Sequence, residues 1–166
     1  MRLPDPPASA LHHGLSENDC VMFAHIILNW GGAEDAIGDA LLVVYGITDG
    51  EIANDLVSGL DGKKKIALLG KILARTYPTN GAIPILKKVA SAHEKWADDR
   101  NALAHGFGVM AREGVIIRSS KPKRPVPISR LPELLNKANW LYLACSEVWR
   151  IVAGCPSDEP LPDKPV

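Results

Sequence analysis

Cysteine is scarce: Cys20, Cys145 and Cys155 are the only three in 166 residues, and no two form a Cys-x-x-Cys pair. That excludes a disulfide framework and argues against a zinc site. Cys20 and Cys145 fall within helical patterns and are expected to pack as small hydrophobes. An excess of one charge is also missing, since 19 basic residues balance 19 acidic ones. General electrostatic attraction to nucleic acid is therefore not supported, and any phosphate contact must come from a local patch. The candidates are Lys63-Lys64-Lys65, Lys121-Pro122-Lys123-Arg124, and Arg112 with Arg118; taken singly, each reads as a solvated helix start or loop. No apolar run approaches about 18 residues, and no charged-then-apolar segment opens the chain. The expectation is a cytoplasmic protein with no membrane contact. Glycine-rich phosphate loops are absent, which argues against ordinary nucleotide enzymes. His12-His13, His25 to Asn29 and His93 lack a second ligand at metal spacing, so neither metal nor cofactor is expected.

What is present is a helical pattern. Hydrophobic residues make up 46% of the chain, enough for one packed domain. Prolines gather at both ends, at Pro4, Pro6 and Pro7 and again at Pro156, Pro160, Pro162 and Pro165. Residues 1–15 and 155–166 therefore read as flexible arms around a helical domain at 16–154. Ser16 is placed to cap a helix over Glu17 to Tyr45, with a stripe of Phe23, Ile26, Ile27, Trp30, Ile37, Leu41 and Val44. Gly31-Gly32 offers a break in it, whereas Gly38 suggests a close helix approach. Thr48-Asp49-Gly50 opens a short helical piece ending near Gly59, and Asp61 caps a helix to about Thr76. A further helix runs from Gly81 to Gly106. Val109 to Ala111 and Val115 to Arg118 flank Glu113-Gly114 as a β-hairpin, and Ser129 is placed to cap a last helix to about Ala153. Trp30, Trp96, Trp140 and Trp149 lie on or near apolar stripes and read as core. The expected fold is all-α: an antiparallel four-helix up-down bundle with a small β-hairpin inserted between the third and fourth helices.

The Gly81 to Gly106 helix carries the chain's most informative feature. At ~100° per residue, Ile85, Leu86, Val89, Trp96, Ala97, Leu103 and Ala104 form one apolar stripe. Arg100 and His93 fall near its centre, and Asn101 and His105, four apart, share its edge. Solvated positions lie only a residue or two away, at Asp99 or Ala102. A guanidinium in an apolar face needs a carboxylate, an interface or a phosphate. Glu34 is the one charge embedded in the first helix's stripe, so an ion pair between Glu34 and Arg100 is expected.

The stretch Arg100-Asn101-Ala102-Leu103-Ala104-His105-Gly106 resembles the Arg, polar residue, three residues, His motif of the HEPN superfamily. These are small helical bundles, many of them ribonucleases. The resemblance is sharp over about eight residues, and it implies a four-helix bundle with the motif on the third helix. Some HEPN toxins carry a modifiable Tyr two residues after the motif His; here Phe107 stands there, with no hydroxyl to modify.

The residue types suit RNA cleavage without a metal. Histidine exchanges protons near neutral pH, and arginine stabilises charge on a pentavalent phosphate. Asn101 is placed to orient His105 or a phosphate oxygen. The resemblance implies a symmetric homodimer with two motifs face to face, RNA as substrate, and a toxin or defence role with an antitoxin or regulatory protein as partner. Two other readings stay open: a non-catalytic HEPN-like bundle that binds a partner protein or nucleotide, and a structural Arg100 that merely neutralises Glu34.

Overall fold

Ser16 starts the first helix through a reciprocal cap. Its hydroxyl accepts from the Asp19 N–H at 3.1 Å, and the Asp19 carboxylate accepts from the Ser16 N–H at 2.9 Å. Such a cap satisfies two donors that a helix end leaves open. The computed structural model describes residues 15–104, 106–111, 114–119 and 125–166, and between 106 and 119 it describes the backbone and the Ile117 side chain. Among these residues the chain is mostly helical, which places it in the all-α class. The helices are α1 (Glu17–Tyr45), α2 (Gly50–Ser58), α3 (Gly62–Thr76), α4 (Ala82–Ala104) and α5 (Leu131–Val152). None is long and apolar enough to cross a membrane.

Each helix start has a local cause. The Asp49 carboxylate accepts from the N–H groups of Glu51 and Ile52, Asp61 from that of Lys64, and Asn80 Oδ1 from that of Ala82. The last helix departs from expectation. Ser129 lies within a 3-10 turn, Ile128–Arg130, and α5 begins at Leu131 without a side-chain cap. Pro132 supplies the start instead, because its missing N–H costs nothing in a first turn.

Strands β1 (Gly106–Ala111) and β2 (Gly114–Ser119) pair antiparallel, Gly106 opposite Ser119 and Ala111 opposite Gly114. A third strand, β3 (Val126–Pro127), joins the free side of β2 with Ile117 opposite Val126. Two residues are too short a run to show any alternation, so the sequence pattern does not reveal it. Pro127 is tolerated because β3 is an edge.

The core has two parts. The larger gathers Trp30, Ile37, Leu41, Leu69, Leu73, Val89, Trp96, Trp140 and Leu141 between α1, α3, α4 and α5. The smaller joins Ile26, Ala102 and Leu103 to Ile117, Val126 and Leu131. It explains why Ala102, expected on the solvated side of its helix, is buried: Ile117 and Val126 of the sheet cover that face. Cys145 is buried as expected, but Cys20 is exposed on the outer side of α1. Gly31-Gly32 does not break α1. A Cβ on Gly32 would stand 3.0 Å from the Tyr142 ring, so the close approach to α5 occurs here. At Gly38 a Cβ would make only ordinary contact, 3.6 Å from Lys65 Nζ.

The proline-rich segment 155–166, expected to be a flexible arm, lies against the helices. Trp140 Nε1 donates to the Pro162 carbonyl at 2.9 Å, the Ser157 N–H donates to Glu147 at 3.1 Å, and Leu161 packs on the larger core. Lys164 stands 5.6 Å from the centroid of Trp96. Proline prevents a helix here but not an extended strap, whose few polar groups find partners on α5. Residues 1–14 are outside the described residues.

Candidate functional site

Three elements converge near the middle of α1. Trp30 and Glu34 are four apart on α1, hence on one face. Asp61, Gly62 and Lys63 form the start of α3. His93, Ala97, Arg100 and Asn101 follow one another along a face of α4. Together these nine residues line a cleft of about 260 Å³.

Glu34 organises it. One carboxylate oxygen, Oε1, accepts from Trp30 Nε1 at 3.1 Å and lies 3.4 Å from His93 Nε2 and 3.6 Å from Arg100 Nη2. The ion pair expected between Glu34 and Arg100 is therefore present. The hydrogen bond with His93 is the largest influence holding the Glu34 carboxyl below its ordinary range of 4.5, with the Arg100 charge and the Trp30 indole adding to it against partial burial. The His93 ring also tilts against Trp30, with centroids 5.4 Å apart. Gly62 makes room for all this: a Cβ there would stand 2.7 Å from the Glu34 carboxyl carbon. Any side chain at 62 would have to push that carboxylate out of its place.

Arg100 is held at two points. Nη2 faces Glu34, and Nη1 donates to Asn101 Oδ1 at 3.0 Å. Its side chain keeps 30% of its surface open, against 23% for Glu34, so the guanidinium is anchored yet still reachable. Next to it on α4, Asp99 receives Arg130 at 2.9 Å, and Arg130 continues to Glu133, which also receives Lys137. Arg130 and Lys137 hold the Glu133 carboxyl down at about 2. This chain of charges ties the end of α4 to the start of α5, and so fixes the turn that carries Arg100.

Of the four residues singled out by sequence, the structure brings Glu34, Arg100 and Asn101 into one cleft. His105 follows the last residue of α4 and lies outside the described residues. So do Arg112 and the basic run 121–124, and the Arg118 side chain. Lys63 is at the cleft, but 3.2 Å from Glu94. Comparison with protein-family models, curated proteins and solved structures gives no match. Among the described residues no group of three or more His, Cys, Asp or Glu is arranged to hold a metal ion.

Sequence reasoning missed three members of the cluster. His93 was seen at the stripe's centre but given no role, although its seven-residue offset from Arg100 places both on one helix face. Trp30 read as core, which it is, but its i,i+4 spacing to Glu34 also signalled a hydrogen bond. Lys63 belonged to a basic run read as a solvated helix start, and Gly62 carried no signal, because nothing local says what faces a helix start.

Proposed function

We propose that the protein is a metal-independent endoribonuclease of HEPN type. In this reading α1, α3, α4 and α5 are the antiparallel four-helix up-down bundle, with β1 and β2 as the hairpin inserted before the last helix. The observation that carries the proposal is Arg100: a guanidinium fixed by Glu34 and Asn101 at the wall of an open cleft, within a sequence that resembles a ribonuclease motif. A purely structural ion pair needs no cleft beside it.

The chemistry assigns each group a task. His105 takes the proton from a 2′-hydroxyl, whose oxygen attacks the adjacent phosphorus. The P–O5′ bond breaks, leaving a 2′,3′-cyclic phosphate, and the departing oxygen receives a proton. Arg100 stabilises the charge that grows on the phosphate oxygens, Asn101 orients, and Glu34 holds Arg100 in place. A homodimer that brings two motifs together supplies the second proton-transfer group. The setting is a cytoplasmic toxin or defence effector with a regulatory protein partner.

The test is cleavage of single-stranded or looped RNA in EDTA, with cyclic phosphate ends identified on the product. Arg100→Ala and His105→Ala are each expected to lower the rate ~10²-fold or more. Activity that needs added Mg²⁺, or that persists in His105→Ala, overturns the mechanism. One observation favours the second reading, a non-catalytic bundle that binds a partner protein or nucleotide: Glu34 already neutralises Arg100. That reading predicts no cleavage with any RNA.

A further inference from the structure

A groove runs along the junction of α3 and α4, away from the cleft just described. Its apolar end, about 380 Å³, has Ile66 and Leu86 as floor and Ala67, Gly70, Ala74, Ile83 and Ala90 as walls. Small residues keep the walls low, and even a Cβ on Gly70 would make only ordinary contact, 3.6 Å from Leu86 Cδ2. A second hollow, sharing Ile66, Ala67 and Ala90 with the first, continues to Lys63 and His93, which also line the Arg100 cleft. Shared lining residues thus set the apolar trough, the second hollow and the candidate cleft in one row along α3 and α4. From Ala74 to Lys63 this row follows α3 for about 16 Å, the length of three helical turns.

The rim decides the occupant. Lys71 and Lys87 border the apolar trough, and among the described residues neither makes an ion pair or a hydrogen bond. Lys63 stands further along, paired at 3.2 Å with Glu94, the one acidic residue lining either hollow. A floor and walls of aliphatic side chains suit the apolar side chains of a helix rather than nucleotide bases and sugars, and a cationic rim suits acidic flanks.

We propose that this groove is the docking site for an acidic amphipathic helix of a partner protein, which seats Leu-like side chains on Ile66 and Leu86 and carboxylates on Lys71 and Lys87. A helix of three turns so placed ends at the mouth of the Arg100 cleft and closes it. Docking is independent of the chemistry of that cleft; only the inhibition it brings about rests on the ribonuclease reading.

The probe is a synthetic sixteen-residue helical peptide (about 24 Å at 1.5 Å per residue) with leucines at i, i+4, i+7 and i+11 and glutamates beside them, compared with the same peptide carrying lysines. Binding to the full chain is read by fluorescence anisotropy and by amide chemical shifts. The glutamate peptide is expected to shift α3 and α4 resonances at 66–74 and 83–90. Ala90→Glu, on an exposed site, is expected to weaken it at least tenfold. The double variant Lys71→Glu, Lys87→Glu is expected to reverse the preference in favour of the lysine peptide. Binding indifferent to peptide charge, or unmoved by Ala90→Glu, overturns the proposal. So does an RNA oligonucleotide that shifts the same resonances, which assigns the groove to nucleic acid, and so do shifts that depend on protein concentration alone, which assign it to a second copy. Peptide binding without any RNA cleavage leaves docking standing and removes the ribonuclease reading; cleavage without peptide binding does the reverse.

Discussion

Glu34 and Arg100 occupy positions where each helix pattern calls for a hydrophobe, and the cost of placing a charge there depends on the partner. A half-buried pair contributes little net stability, because desolvation offsets the attraction. Removing one member is different, since the other stays charged and unpaired. Glu34→Gln is expected to lower unfolding free energy by roughly 2–4 kcal/mol, measured by urea denaturation. The double change Glu34→Met, Arg100→Met is expected to restore most of that while leaving any ribonuclease activity abolished. A single Glu34→Gln variant as stable as the parent would count against the pair. The pH dependence has a definite sign. The folded Glu34 carboxyl titrates below its ordinary value of 4.5, so its contribution is complete above that pH and disappears as pH falls through the lower folded value. The stability difference between parent and Glu34→Gln is therefore expected to shrink below pH 4.5. This pair was legible in the sequence because two opposite charges each interrupted an apolar stripe. His93 was not, because a histidine on an apolar face carries no sign of what it will meet.

At the scale of elements, the long helices are legible in their course and, for α1 and α3, in their ends. Capping residues at Ser16, Asp49 and Asp61 precede apolar periodicity, and the structure uses all three side chains as caps. The start of α5 was misread, since Ser129 matched a capping pattern that the 3-10 turn and Pro132 override. Burial of Ala102 and the course of residues 155–166 were not legible either, because both depend on what the rest of the chain brings against them. Glycine in α1 shows the same limit. Gly31 and Gly32 are neighbours of equal helix propensity, but only Gly32 faces a close neighbour. Gly31→Ala adds a methyl to open space and is expected to raise stability by roughly 0.5–1 kcal/mol. Gly32→Ala must displace the Tyr142 ring and is expected to gain less or to lose. Thermal melts of the two variants side by side check this, and equal gains would show that α1 and α5 are not in close contact there.

At the scale of the molecule, the proposed reaction asks for more than one chain. A single motif offers one histidine for proton transfer, and a two-fold axis makes each motif meet its copy. The protein is therefore expected to be a homodimer at tens of micromolar, a rough concentration set by ordinary association strengths. The interface is expected at the C-terminal half of α4 and its neighbours. Light scattering checks this directly, and a monomer would remove the second proton-transfer group from the mechanism. Residues 155–166 border that interface through Lys164, which stands 5.6 Å from the Trp96 ring in the C-terminal half of α4. They bind beside Trp140 and Glu147 on α5 and reach Ser91 on the earlier part of α4.

The shared oxygen of Glu34 has an evolutionary consequence. Trp30, His93 and Arg100 all turn toward it, and Gly62 leaves the space in which it sits. These five positions lie on three separate helices, far apart along the chain, but none is free to drift alone. A side chain at 62 displaces the carboxylate, a lost carboxylate strands the guanidinium, and a lost guanidinium leaves the carboxylate short of its countercharge. In descendants of this chain they are expected to be inherited together or replaced together, so substitution at one is a record of substitution at the others.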